Sequence, residues 1–315
     1  MISFTKIPVK KICFVITVTA FVFSCLTLGQ AEEKPPKELR ITTYNVENYL
    51  TMPRRINGKL LPNVGKPESE KTAVTRMIGM IQPDILGLME IGEPSQLVDI
   101  QKRLRQAGID FPYSEYLQGN DTTRHVALLS RYPIVERHSL GELPLWVNGM
   151  TLHSPRGILD VTVEPSPGYR LRLLCLHLKA KLEVAEYNEA DLRLAESKEI
   201  RRYVRDILRT NPETRLILMG DFNDTKNEKS IWQIEGKPDW PDSLHALPLS
   251  DDRGELWTEY WSAADVYSRI DYIMVSKTLE SQIDPGHSGI ARPAFWNDAS
   301  DHCPVTLSLN LPTAQ

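Results

Sequence analysis

The sequence predicts an α/β domain whose strands form two layers with helices outside. Three observations lead there. Short apolar, β-branched runs recur along the chain and read as strands. Two of them flank a Pro/Gly-rich turn, as in a hairpin. Helical periodicity is interspersed with the strands but without regular strand–helix–strand alternation, which argues against a doubly wound parallel sheet. The 315 residues are 25% charged and 41% hydrophobic, an ordinary globular balance that excludes general disorder and collagen. With no internal repeat and no second composition shift, residues 39–312 read as one domain.

The elements follow in order. Leu39–Val46 is the first strand. Ser69–Ile81 has helical spacing, with Val74, Met77, Ile78 and Ile81 on one face and Pro83 closing it. Ile85–Met89 is a buried strand, and Pro94–Ala107 is a helix with Leu97, Ile100 and Leu104 as its core face. Val126–Ser130 is a strand running into the turn Arg131-Tyr132-Pro133. Ile158–Glu164 and Arg170–Leu178 make a hairpin around Pro165-Ser166-Pro167-Gly168. Ala190–Arg209 is the longest helix, with Leu192, Ile200, Val204 and Ile207 toward the core. Arg215–Met219, Ile270–Val275 and Pro304–Leu309 are strands, while Asn227–Glu255 reads as irregular surface loops.

The first residues are of another kind. Lys6, Lys10 and Lys11 precede an uncharged run from Ile12 to Leu28, and Gly29-Gln30-Ala31 supplies a small-residue exit. That order predicts a signal peptide over 1–31, followed by a charged, Pro-rich linker over 32–38. The expected location is secreted or periplasmic. Retention as an anchor, or lipidation at Cys25 in Val22-Phe23-Ser24-Cys25, are the alternatives. The remainder has 34 basic and 41 acidic residues, a balance of −7. Such a chain is no general polyanion binder, so an anionic substrate needs a local basic patch or a bound cation. Cys175 and Cys303 remain after cleavage, too few for a disulfide framework, and are expected as two buried thiols.

Polar side chains at the ends of apolar strands are the candidates for chemistry, because burying them there requires a partner, a metal or a substrate. Asn45 follows Ile41-Thr42-Thr43-Tyr44, and Glu90 ends Ile85-Leu86-Gly87-Leu88-Met89. In Gly220-Asp221-Phe222-Asn223-Asp224 the acid and the amide stand two apart and project together, and Gly220 permits close backbone approach. His177 lies near the end of a strand and is followed by Lys179 and Lys181. Asp271 enters one late strand, and Asp301 and His302 precede the last. An amide, several carboxylates and two histidines suit metal-assisted attack of water on phosphorus, where oxygen ligands hold a hard cation and a base takes a proton. The chain carries no Gly-x-Ser-x-Gly elbow, Walker loop, His-Glu-x-x-His or zinc-spaced cysteine pair.

Seven segments in order then resemble the endonuclease/exonuclease/phosphatase superfamily, in its exported bacterial branch. They are Thr43-Tyr44-Asn45-Val46-Glu47-Asn48, Leu88-Met89-Glu90, Val126–Ile134, His177-Leu178-Lys179-Ala180, Gly220-Asp221-Phe222-Asn223, Ser268–Ile273 and Ser300–Val305. The resemblance implies a four-layered α/β sandwich, two packed and mostly antiparallel sheets flanked by helices, with the site at one end. It implies Mg²⁺ (Mn²⁺ in its place) held by Glu90, Asn45 and Asp301. Asp221 would activate water, Asn223 would bind a phosphoryl oxygen, His302 oriented by Asp271 would act as base or cation, and His177 would stand near the leaving group. Arg124, Lys179 and Arg193 are candidates for holding substrate. The acidic partner and the tyrosine that pancreatic-type nucleases place near the His177 position have no counterpart in the sequence.

The expected activity is metal-dependent hydrolysis of phosphate esters by in-line attack, with nucleic acid as the favoured substrate. A sphingomyelinase-type phospholipase docking through Leu143–Val147, a phosphomonoesterase, and a silent binding protein on the same scaffold are the alternatives. No obligate protein partner is inferred.

Overall fold

The computed structural model describes residues 37–182 and 187–312, with Met1 and Ser3. The expected signal segment with Cys25, and all of the linker but its last two residues, therefore lie outside the described residues. Among the described residues, no helix is long and apolar enough to cross a membrane.

Strand β1 (Glu38–Tyr49) is followed by a hairpin, β2 (Met52–Ile56) and β3 (Lys59–Val64). Helix α1 (Glu68–Ile81) ends at Gln82, whose left-handed φ of 51° precedes Pro83. Next come β4 (Ile85–Ile91), α2 (Pro94–Gln106), β5 (Tyr113–Leu117), β6 (His125–Ser130) and β7 (Ile134–Arg137). A second hairpin pairs β8 (Pro144–Val147) with β9 (Met150–His153), and a third pairs β10 (Leu159–Ser166) with β11 (Tyr169–His177). Helix α3 (Glu189–Thr210) starts at Asn188, whose side chain accepts from the amides of Ala190 and Asp191. It leads into β12 (Leu216–Asp221), α4 (Lys229–Glu235) and β13 (Leu244–Ala246). The chain closes with the hairpin β14 (Glu259–Trp261) and β15 (Val266–Ser268), then β16 (Asp271–Ser276), β17 (Gly289–Ile290), α5 (Trp296–Ala299) and β18 (Val305–Asn310).

Two six-stranded sheets result, ordered β17-β18-β1-β4-β6-β5 and β13-β16-β12-β11-β10-β7. Each is antiparallel except for one central parallel pair, β1 with β4 and β11 with β12. Parallel neighbours need a crossover, and α1 and α3 supply the two. The sheets pack face to face through Leu39, Ile41, Ile85 and Leu128 on one side and Leu171, Leu173, Ile217 and Met219 on the other. Outside the first sheet lie α1 and α2, burying Val74, Met77, Ile78, Leu97, Ile100 and Leu104. Outside the second lie α3 and α4, burying Leu192, Ile200, Val204, Ile207, Ile231 and Ile234. The expected four-layered sandwich is thus present. Central strands such as β11 run apolar where both their faces are covered, here from Leu173 to Leu176, each large side chain contributing about 1.5–3 kcal/mol.

The stretch 227–255, expected as irregular, contains α4 and β13. Seven residues are too few for helical periodicity to show, and α4 is held by Ile231 and Ile234 against α3. Cys175 and Cys303 are unbonded and buried, as expected.

Gly220 explains how β11 and β12 close at their functional end. It holds φ 145°, and a Cβ there would sit 2.0 Å from the Leu176 carbonyl oxygen. Gly220→Ala is expected to cost about 3 kcal/mol or more through overpacking and backbone strain. Urea unfolding measures it, and an unchanged midpoint would show that the two strands can part there.

Candidate active site

The two parallel pairs place four polar residues at one end of the sandwich. Asn45 and Glu90 lie toward the C-terminal ends of β1 and β4, and His177 and Asp221 end β11 and β12. His177 and Asp221 are register partners, and so are Asp221 and Asp271, the first residue of β16. Asp301 and His302 arrive from the loop before β18, and His302 bridges to Glu259 of β14. Carboxyl ends of parallel strands are where α/β sheets gather ligands.

One group is built around His302. Its Nδ1 is 2.8 Å from Asp271 Oδ2, so Nε2 faces Asp221 Oδ2 and Asp301 Oδ1, each at 3.9 Å. Asp221 is itself fixed: its Oδ2 accepts from Asn45 Nδ2 at 3.0 Å and its Oδ1 from the Asn223 amide at 2.8 Å. Burial opposes a charge on His302. Asp271, then Asp221 and Asp301, outweigh burial and hold the imidazole well above its ordinary pKa. Burial and the facing Asp271 push the Asp221 carboxyl well up. His177 Nε2 lies 3.5 Å from Asp221 Oδ2 and 3.9 Å from Glu90 Oε1. Burial, then the positive charges around it, hold His177 well below the usual range, so it is a neutral imidazole. Its Nδ1 has no hydrogen-bond partner among the described residues, in keeping with the missing acidic partner noted in the sequence.

A second group is carboxylate-rich. Glu90 has φ 65° and accepts from the Asn48 amide at 2.8 Å. Glu47, Asn48 and Asn223 also hold positive φ, so backbone strain gathers at this end of the sandwich. Glu47 Oε2 accepts from the Asp301 amide at 3.1 Å. Burial and the charge of Asp301 raise Glu47 to about 7. Asp301 is raised by burial, with Glu90 adding to it against the opposing pull of His302. Lys66 is buried 3.9 Å behind Glu47 and is shared with Glu70 at 3.1 Å. Burial and like charge raise both Glu47 and Asp301, and carboxylate oxygens of this kind suit a hard divalent ion. Asp221, Asp271 and His302 form a further set, with ligand atoms all within 4.8 Å of one another. The protein's own hydrogen bonds already engage all three.

The remaining sequence candidates divide. Arg124 reaches the site, with Nε 3.8 Å from Glu90 Oε2. Asn223 donates to the Leu178 carbonyl at 3.0 Å, leaving its second amide hydrogen free to act. Arg193 and Lys179 are bonded within the protein. Arg193 is buried, bonded to Asp224 and to the Lys179 carbonyl, and so braces the loop after β11 rather than facing substrate. The Lys179 ammonium donates to the carbonyls of Ala180 and Leu182. Sequence reasoning assigned no role to Glu47, Lys66, Glu196 or Ser300. Glu196 is fully buried and accepts from Ser154 Oγ and the Lys179 amide, fixing the same loop. Ser300 ties the Asn45 carbonyl to the His302 amide. Only Glu47 carried a readable signal, standing two residues from Asn45 as Asn223 does from Asp221.

The segment Leu143–Val147 is core on one side: Leu143, Leu145 and Val147 are buried with α3, and Trp146 projects at 71% exposure.

Known proteins resemble the chain in sequence profile and in fold. A profile of the Endonuclease/Exonuclease/phosphatase family matches residues 42–302. No curated protein sequence matches the chain. Among solved structures it is similar to the human nocturnin catalytic domain with bound sulfate anion, at TM-score 0.59 and 19% identity over 88% of this chain and 94% of that one. A family protein from Leptotrichia buccalis aligns at TM-score 0.59 and 18% identity, over 87% of this chain and 100% of that one. The beta toxin of Staphylococcus aureus aligns at TM-score 0.58 and 15% identity, over 85% and 99% respectively. At these identities the likeness is one of fold.

Proposed function

The chain belongs to the endonuclease/exonuclease/phosphatase family, and from that premise we propose an exported, Mg²⁺-dependent phosphodiesterase that cleaves nucleic acid by in-line attack of water. The observation carrying the reading is the His302–Asp271 pair, which turns Nε2 toward the carboxylates of Asp221 and Asp301. Glu90 and Asp301, with Asn45 alongside, are the residues that would hold Mg²⁺, or Mn²⁺ in its place. When bound, the cation supplies neutralisation of the phosphoryl charge. Asp221, fixed by Asn45 and the Asn223 amide, orients the attacking water and in its ionised form accepts its proton. Protonated His302 faces the developing negative charge, and Asp271 keeps its ring turned that way. Asn223 directs its free amide hydrogen at a phosphoryl oxygen. Arg124 is placed to pair with a phosphate near Glu90. His177, neutral and buried, lines the side facing Glu90 and Asp221.

The test uses protein from residue 32 onward with plasmid DNA, RNA, sphingomyelin, an inositol phosphate and an aryl phosphodiester, each with Mg²⁺, Mn²⁺ or chelator. Cation-dependent cleavage of nucleic acid supports the reading. Cleavage of lipid alone replaces it with the phospholipase reading. No turnover of any substrate, with Glu90→Ala indistinguishable from wild type, turns the case to a binding protein.

One observation favours the phospholipid alternative, the exposed indole of Trp146 on the β8–β9 hairpin. A lone indole is a weak anchor. Trp146→Ala is expected to leave liposome sedimentation unchanged, and a loss of about tenfold or more in membrane binding would revive that reading. Export rests on residues 1–31, and mass spectrometry of the exported protein tests it. A chain starting near Glu32 is expected, whereas a lipid mass at Cys25 makes it a lipoprotein.

A further inference from the structure

The carboxylate cluster opens on one side into a cavity of about 640 Å³ that no step above uses. Glu47 and Asp301 line it where it meets the site, and α1, the β14–β15 hairpin and the segment around α5 complete its walls. We propose that this cavity is the subsite for a nucleotide neighbouring the scissile phosphate, with its base on the aromatic wall and its own phosphate on Arg76. The proposal rests on the nucleic-acid reading and makes it specific.

The aromatic wall is firmly held. The Tyr260 amide donates to the Asp301 carbonyl at 2.9 Å, tying the hairpin directly to the site loop. Tyr260 stacks on Tyr267 with ring centres 4.4 Å apart and planes 22° apart, and its hydroxyl donates to Asp265. Trp261, next in line, is 56% exposed and lines the cavity. An exposed indole on a braced strand beside a phosphoryl-transfer site is a platform for a base, since any base presents a π face.

Arg76 supplies the cation. Its guanidinium lies 3.9 Å from the centre of the Phe295 ring and makes no ion pair among the described residues. Glu70, nearly two turns back on the same helix, is taken up by Lys66. A guanidinium centred over an aromatic ring still has donors for the oxygens of a phosphate. Asn297 and Asp298 on the same lining offer an amide and a carboxylate, which suit sugar hydroxyls and exocyclic amines. The mixture of flat rings and polar groups is wrong for acyl chains, and the volume exceeds what a lone phosphate needs.

The experiment compares Arg76→Gln and Trp261→Ala with wild type, in Mg²⁺, on a single-stranded tetranucleotide and on bis(4-nitrophenyl) phosphate. The aryl diester has a scissile phosphate but neither a base nor a second phosphate. Both side chains are exposed, so folding is not at stake, and melting temperatures check it. Each variant is expected to lose about tenfold or more in kcat/KM on the tetranucleotide, chiefly through KM, and to stay within about twofold on the aryl diester. Unchanged tetranucleotide cleavage, or equal losses on both substrates, overturns the subsite alone. A wild-type enzyme that hydrolyses the aryl diester but no oligonucleotide overturns the nucleic-acid reading and the subsite with it.

Discussion

Glu90→Ala is expected to lower kcat/KM by about 1000-fold or more at fixed Mg²⁺, since cation stabilisation of a phosphoryl transition state is worth several kcal/mol. Glu90 sits at φ 65°, a conformation that costs an ordinary residue roughly 1–2 kcal/mol, and its carboxylate is aimed by the Asn48 amide. Its neighbours are the raised carboxyl of Asp301 and the approaching guanidinium of Arg124. A strained residue held to present a negative charge beside another carboxyl group has its natural counterpart in a divalent cation. Loss of Glu90 should therefore shift the Mg²⁺ dependence upward, so that part of the activity returns at high metal. Glu90→Gln keeps an oxygen for the Asn48 amide but loses the charge, and is expected to behave like the alanine variant. Mn²⁺ titration followed by electron paramagnetic resonance reads binding without turnover. Normal activity and normal Mn²⁺ affinity in both variants would remove Glu90 from the metal site.

How legible the site was from sequence depended on how each residue reaches it. Asn45, Glu90, His177 and Asp221 were readable because they interrupt apolar strands, and polar groups there require partners. The parallel pairs then bring the four ends together, a convergence that strand prediction alone does not reveal. The helices α1, α2 and α3 announced themselves through periodic core faces, whereas α4 is too short to do so. The hairpins β2–β3, β8–β9 and β14–β15 were missed because each forms a two-stranded sheet of its own, outside the large sheets and their long apolar runs. Nothing local marks Arg193 as a brace, and only the fold discloses its bond to Asp224. The cavity holding Arg76 and Trp261 is assembled from segments far apart in the chain, so nothing local marks it.

His302→Ala is expected to lower kcat by about 10²–10³-fold, the usual range for removing one positioned donor that stabilises transition-state charge, with little change in Mg²⁺ affinity. Asp271→Asn should approach the same loss by a different route. The carboxylate 2.8 Å from Nδ1 holds the imidazole with Nε2 toward Asp221, and an amide in its place removes the charge that favours the protonated ring. Stability separates the two variants. Asp221 and Asp271 are buried and directly opposite in the register, and His302 is the positive group between them. Taking away His302 leaves the two carboxylates facing each other, which should cost about 3 kcal/mol or more. Replacing Asp271 removes one of those carboxylates and relieves the burden on Asp221, so Asp271→Asn should fold as well as wild type or better. Turnover measured beside urea unfolding therefore gives paired readouts: both fall in His302→Ala, and only turnover falls in Asp271→Asn. An Asp271→Asn protein with wild-type turnover would mean that His302 needs no orienting charge. A stable His302→Ala protein would mean that a proton shared by Asp221 and Asp271, rather than the imidazolium, balances the pair.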